Sequence, residues 1–237
     1  MPWQLLPMIS APMPLQMALD ELLFEAHKKT EQGPTLRFYV SSELWISAGC
    51  SFRDLKALSK SELILKNPQV PVCRRITGGG CVLHGRDLIF SLTARVLCDS
   101  ERFASVRASY EKIHEGVRMG LQECGLDPKF YSDRDELPKG NDCFDFPVES
   151  DLAWKGNKIA GGAQKRSEGV LLHHESILIP SGVETETLIQ AIQKGLGQVF
   201  AAPIEKAELN PELYFEAIKK RNITDSLWKN PEVFLKR

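Results

Sequence analysis

Arg74-Arg75-Ile76-Thr77-Gly78-Gly79-Gly80-Cys81-Val82-Leu83-His84 is the stretch on which the reading of this chain turns. Three consecutive glycines lose much backbone entropy on folding, so a fold seldom sets them beside a strand for stability alone. They permit close approach, because no Cβ stands between the backbone and a ligand. Two arginines precede the glycines and a histidine follows. A backbone that can touch a ligand, with fixed positive charge beside it, suits an elongated acyl group or an acyl phosphate. A glycine-rich surface turn would look the same taken alone, and a second stretch decides between the two.

That stretch runs from Asn141 to Ile179. Within it, Lys158 follows a hairpin turn and is bounded by the small residues Ala160, Gly161, Gly162 and Ala163. Small neighbours leave room for a ligand beside an ammonium that can face an acyl carbonyl or a phosphate. The ordinary fate of a strand lysine is a solvated surface position. Cys143 lies upstream in a polar loop, between Asp142 and Phe144. A nucleophilic cysteine needs partial exposure and a nearby positive group to favour the thiolate. Lys158, His84 and His174 are the candidate sources of that charge. Cys73 and Cys81 occupy strand-like positions and are expected as buried thiols. His173 and His174 are adjacent, and neighbouring strand residues point to opposite faces, so the pair cannot easily chelate together. His174 is expected to face the pocket, and no metal is expected.

These pieces resemble the lipoate–protein ligase and octanoyltransferase family, which is related to the biotin protein ligases. The resemblance is carried by Arg74-Arg75-x-Thr77-Gly78-Gly79-Gly80-x-Val82-x-His84, Asp151-Leu152, Gly156-x-Lys158-Ile159-x-Gly161-x-Ala163-Gln164 and Leu172-x-His174-x-Ser176-Ile177, with a weaker match at Met17-Ala18-Leu19-Asp20-Glu21. It covers roughly Leu15 to Ile179. It implies a biotin/lipoate ligase-like fold, and a substrate-binding surface built from Arg74, Arg75, Thr77, Gly78, Gly79, Gly80, His84, Gly161, Ala163 and His174. It gives Lys158 the role of contacting the acyl carbonyl or acyl-adenylate. Cys143, with Phe144 after it and a proline following, is similar to the acyl-accepting cysteine of the cysteine-dependent octanoyltransferase branch; the ATP-using ligase branch typically has none there. Two positions depart from the pattern. Glu175 stands where a glycine is expected after the histidine of the late strand, and Cys50-Ser51-Phe52 replaces an aromatic-Gln after the early Ser-x-Gly. Both bear on acyl-chain preference.

The expected activity is octanoyl (or lipoyl) transfer from octanoyl-acyl carrier protein to a lysine of a lipoyl domain, of glycine cleavage H protein or of a 2-oxoacid dehydrogenase. A Cys143 thioester would be the intermediate and its alkyl chain would lie along the glycine turn. Lys158 and backbone N–H groups near Gly79 and Gly80 would stabilise the oxyanion, each such donor being worth about 3 kcal/mol. Thioester exchange is nearly balanced and amide formation is downhill, so no cofactor is required. One alternative is an ATP-dependent ligase using ATP and Mg; the stretch after Ile179 is short for the accessory domain many such ligases carry. Another is an amidotransferase moving octanoate between carrier domains. Biotin ligase is set aside for want of a Gly-Arg-Gly-Arg-type loop. A non-enzymatic carrier-binding protein would not need Lys158 and the glycine turn together.

Composition agrees. The chain has 237 residues, 43% of them hydrophobic, enough to bury the core of one large catalytic domain over 1–237. The formal net charge of −1 gives no global basic field, so nucleic acid is not an expected partner. Six cysteines show no Cys-x-x-Cys pair and read as reduced thiols of a cytoplasmic protein. No signal peptide and no membrane-spanning stretch are expected.

Periodicity predicts helices over Leu15–Lys29, Arg102–Cys124, Thr185–Leu196 and Pro211–Asn222. Strands are predicted at Thr35–Val40 and Leu44–Ala48, as a pair around Ser41-Ser42, and at Val70–Arg75, Cys81–Leu83, Leu88–Val96 and Gly169–Ile179. Leu152–Trp154 and Lys158–Ala163 are expected as a hairpin turning at Gly156-Asn157. Residues 132–150 read as a functional loop. Hairpins with helices between and after them argue an α+β class with a mixed, mainly antiparallel sheet flanked by helices.

Overall fold

The computed structural model describes residues 1–52, 58–131 and 150–229, with side chains described as far as Arg221. Its centre is an eight-stranded sheet in the order β11-β1-β2-β6-β10-β9-β8-β7. The strands are β1 (Trp3–Ala11), β2 (Thr35–Ser41), β6 (Asp87–Arg95), β7 (Lys129–Phe130), β8 (Leu152–Trp154), β9 (Asn157–Ser167), β10 (Val170–Leu178) and β11 (Ile204–Lys206). Within this sheet, among the described residues, only β1 pairs in parallel, with β2 and with β11; its other ladders are antiparallel. A three-stranded sheet holds β3 (Trp45–Ala48) between β4 (Val72–Arg74) and β5 (Cys81–His84). The helices are α1 (Met13–Lys29), α2 (Glu62–Lys66), α3 (Val106–Glu123), α4 (Thr185–Phe200) and α5 (Pro211–Lys229). The α+β class and the mainly antiparallel sheet are as expected.

Four local expectations are corrected. The strands at Thr35 and Trp45 do not pair: β2 is interior, taken on both edges by β1 and β6, so β3 crosses to the small sheet. The hairpin between β8 and β9 turns one residue early. Trp154 stands opposite Asn157, and the two loop residues Lys155 and Gly156 both have positive φ, 50° and 76°, as a type I′ turn demands. The third helix starts at Val106 rather than Arg102, because Ser105 caps it by accepting from Ala108 N while Arg102 turns back on Asp99. Strand β1 is absent from the sequence reading because Pro7 falls where its register with β2 shifts and its burial shows no alternation.

Both faces of the sheet are covered. Along β6 every residue from Asp87 to Ala94 is buried. Leu88, Phe90, Leu92 and Ala94 join Leu36 and Phe38 of β2 under α3 and α4, in the main apolar core with Ile113, Val117, Ile192 and Leu196. Residues alternate across a strand, so Asp87, Ile89, Ser91 and Thr93 turn the other way, with Arg37 and Tyr39, toward α1. That second face is buried and rich in polar groups. Covering polar groups is costly unless every one is bonded, and the face forms the floor of the site.

Candidate active site

The floor is organised by Asp20 of α1. Its Oδ1 accepts from Arg37 Nη2 at 2.7 Å, Arg37 Nε at 3.1 Å and Ser91 Oγ at 2.6 Å. Its Oδ2 accepts from Tyr39 OH at 2.9 Å and meets His174 Nε2 at 3.0 Å. Burial acts to raise the Asp20 carboxyl, but Arg37 and His174 hold it far below the usual range. His174 is kept from charging chiefly by burial. Bonding through Nε2 to Asp20, it offers Nδ1 to Thr77 Oγ1 at 3.0 Å, so a chain of bonds runs from α1 to the glycine turn.

The turn itself is laced to its surroundings by Arg75. One guanidinium nitrogen donates to Ser47 O at 2.8 Å and Ser47 Oγ at 2.9 Å; the other donates to Gly78 O and Gly80 O, both at 2.8 Å. Gly78 N reaches Gln164 O of β9, and Cys50 N reaches Thr77 O. His84 meets Ser47 Oγ through Nε2 and Asp87 Oδ2 through Nδ1, each at 2.7 Å, and Ser176 Oγ donates to the same carboxylate oxygen at 2.6 Å. Between the turn and the central sheet lies a small cavity of about 30 Å³, partly open to solvent. Met13, Met17, Val82 and Ile89 give it apolar walls; Arg75, His84, Gly161, Ala163 and His174 complete them. Apolar walls with a few convergent polar groups suit an alkyl chain ending in a carbonyl. A wider cleft outside it is bordered by Arg74, Cys50 and Lys165.

Lys158 is buried, and its Nζ donates to Asp151 Oδ2 at 2.7 Å. The side chain crosses over Gly161, which could carry no Cβ without striking it. The small residue that sequence reading took as room for a ligand is therefore first room for the lysine, which packs against Gly161 beside the cavity.

A second polar cluster sits on the opposite face of the sheet. Glu175 Oε2 meets His114 Nε2 at 2.9 Å and His173 Nε2 at 2.8 Å, with all three side chains fully buried. Burial opposes the Glu175 charge, yet His114 and His173 bring its carboxyl down to about 2. The His173–His174 pair diverges as strand geometry requires: His174 goes to the cavity and His173 to this cluster.

Residues 12–208 match the model of the lipoyl protein ligase A/B catalytic domain. This chain belongs to that family. It is 38% identical over 195 residues to octanoyltransferase LipM of Exiguobacterium sp., across 78% of this chain and 68% of the relative. It is 34% identical over 184 residues to octanoyltransferase LipM of Bacillus subtilis, across 75% of this chain and 65% of the relative. The matches span only 61% to 68% of the length of these and similar octanoyltransferases. The solved lipoate-protein ligase A bound with ATP shares the fold, with a TM-score of 0.74 over 99% of each chain at 21% identity.

Within the lipoyl protein ligase fold, Arg75, His84, Gly161, Ala163 and His174 meet around one cavity, with Thr77 bonded to His174 and Lys158 packed over Gly161. Arg74 instead faces the outer cleft, its guanidinium on Cys50 O at 3.2 Å. Gly78 and Gly80 present their carbonyls to Arg75. Gly79 is the exposed crest of the turn, with φ of 85°. Cys143 lies outside the described residues. Sequence reading missed the roles of Arg37, Asp87, His114 and Glu175. Arg37 carried a signal: it is a lone charge in the middle of an apolar strand.

Proposed function

We propose that residues 1–237 act as one catalytic unit, an octanoyl (or lipoyl) transferase working through a thioester on Cys143. The observation that carries this reading is the buried Lys158 ammonium, held by Asp151 and packed over Gly161, which itself lines the cavity. The cysteine in its motif and the relatives named octanoyltransferase LipM support transfer over ATP-dependent ligation.

The Cys143 thiolate attacks the thioester carbonyl of the donor, octanoyl-acyl carrier protein. The tetrahedral intermediate collapses by expelling the carrier thiolate, which takes up a proton, and the octanoyl group is left on sulfur. Lys158 donates to the oxyanion, and the Met13, Met17, Val82 and Ile89 walls take the alkyl chain. A lysine amine of a lipoyl domain attacks next, loses a proton, and expels the Cys143 thiolate as the amide forms. The free energy of the donor thioester drives the sequence, so neither a cofactor nor ATP is required. The chemistry needs a reduced thiol, which fits the cytoplasm, and the described cysteines Cys50, Cys73, Cys81, Cys98 and Cys124 are all free thiols.

Intact-protein mass spectrometry tests this. The chain and a Cys143→Ala variant are mixed with octanoyl-acyl carrier protein without ATP. A hydroxylamine-sensitive octanoyl adduct on the wild type alone is expected. No adduct, with lipoyl-domain modification only when ATP and free octanoate are supplied, would make the chain a ligase.

A further inference from the structure

Ser150, the residue before Asp151, has φ of 84°. A serine takes up this left-handed conformation only when its surroundings impose it. In this conformation its carbonyl accepts from His114 Nδ1. The other ring nitrogen, Nε2, meets Glu175 Oε2 at 2.9 Å. Both nitrogens of His114 thus face oxygens, and with the Glu175 carboxyl ionised both donate, so the ring carries both protons. His173 differs: its Nδ1 is 3.1 Å from Gln164 Nε2, a donor, so it needs a proton only on Nε2, facing Glu175. The cluster is a buried imidazolium–carboxylate pair steadied by a neutral histidine. Its far end grips the peptide next to Asp151, and Asp151 holds Lys158.

We propose that Glu175 and His114 are positioning residues: they pin the strained Ser150 peptide, and through it the carboxylate that aims the Lys158 ammonium. The chain runs Glu175, His114, Ser150, Asp151, Lys158, from one face of the sheet to the other. It gives a reason for a buried acid at position 175, where the family pattern carries glycine. Its catalytic consequence rests on the proposed role of Lys158; its geometry does not.

The groups that face His114 are Glu175 and His173 of β10, Asp151 beside the Ser150 carbonyl, and Tyr110 one turn earlier on α3, which stacks edge-on against the ring. Burial works against the charge and Glu175 outweighs it, so the ring titrates above its ordinary value. Glu175→Gln keeps shape and hydrogen-bonding capacity but removes the counter-charge.

Three readouts on wild type, Glu175→Gln and His114→Gln test the proposal. Histidine-ring nitrogen NMR at neutral pH should find His114 doubly protonated in wild type and neutral in Glu175→Gln. The Tyr131 amide, which bonds Asp151 O at 2.7 Å, should exchange with solvent at least tenfold faster in both folded variants. Octanoyl transfer at pH 7.5 should lose at least tenfold in kcat with KM for the lipoyl domain within twofold, and the alkaline limb of the Glu175→Gln profile should move to lower pH. His114→Gln covers the case in which Glu175→Gln does not fold. A neutral His114 in wild type, or unchanged Tyr131 exchange in a folded variant, overturns the positioning role. If NMR and exchange behave as expected but wild type transfers no octanoate, the positioning role stands and the transferase reading falls.

Discussion

Lys158 and Gly161 occupy one volume: a Cβ built on Gly161 would stand 2.1 Å from Lys158 Cε and 2.4 Å from Nζ. The obstructed atoms are the far end of a flexible side chain, so the backbone has no need to move. Gly161→Ala should therefore keep the fold but push the ammonium off Asp151, at some cost in melting temperature because that ion pair is buried. Losing a pre-aimed charged donor costs about 10²–10³ in kcat. In a Lys158→Met background the same Gly161→Ala change should lower kcat little further, because the group it displaces is already gone. Equal losses in both backgrounds would show that Gly161 serves the cavity rather than the lysine.

Arg75 makes a related argument about the glycine turn. Its planar fork reaches four acceptors at once, two on Ser47 and the carbonyls of Gly78 and Gly80. An ammonium donates from a single point and cannot span that set. Arg75→Lys should keep the charge yet free the turn, raising KM for the acyl donor at least tenfold with a smaller change in kcat. Steady-state kinetics with octanoyl-acyl carrier protein reads this directly; an unchanged KM would mean that charge alone holds the turn.

Lys158, Gly161 and the glycine turn were legible in the sequence because their spacing is local: a lysine among small residues after a turn, and glycines between two short strands. The partners that orient them were not. Asp20 lies on a helix read as amphipathic, Arg37 is seventeen positions further on in β2, and they meet only when α1 folds over the sheet. His114 sits in the buried stripe of α3 with Ile113, Val117 and Leu121, and nothing in that stripe points to a carboxylate sixty-one positions away. The same limit explains the false pairing of β2 with β3. A polar turn between two apolar runs looks like a hairpin, but which sheet each strand joins is set by distant partners.

The Asp20–Arg37 pair should be the most expensive polar contact to break. Both side chains are wholly buried and 2.7 Å apart. Removing one partner leaves an uncompensated buried charge, worth about 3–5 kcal/mol. Asp20→Ala should lose that much in chemical denaturation, and should also slacken His174 and Thr77, which hang from the same carboxylate. Replacing both members together, as Asp20→Leu with Arg37→Met, should cost less than the sum of the single changes. A sum that is simply additive would show the pair to be two independent contacts.

Stability should fall in two stages as pH drops. His27, His173 and His174 are each pushed below the ordinary 6.5, burial being the largest cause in every case. A histidine held neutral in the fold charges more readily once unfolded. Its contribution is therefore present above about pH 6.5 and is lost as pH falls through the folded value. The carboxylates follow. Asp20, Asp87 and Glu175 are held below their ordinary values of 3.8, 3.8 and 4.5 against the pull of burial, by Arg37, by His84 and by His114 respectively. Their contribution is present above about pH 4 and fades below it. His114 runs the other way. Its raised value makes its contribution complete below pH 6.5 and lost as pH rises through the folded value, so it adds no slope to the first stage. Glu175→Gln removes the main counter-charge and leaves burial to hold His114 neutral, so a fourth histidine joins the first stage and the melting temperature should fall more steeply than wild type between pH 7 and 5. Thermal melts followed by circular dichroism across pH 3–8 check both slopes. A wild-type melting temperature that stays flat from pH 7 to 5 would mean that the three histidines are not held neutral by the fold.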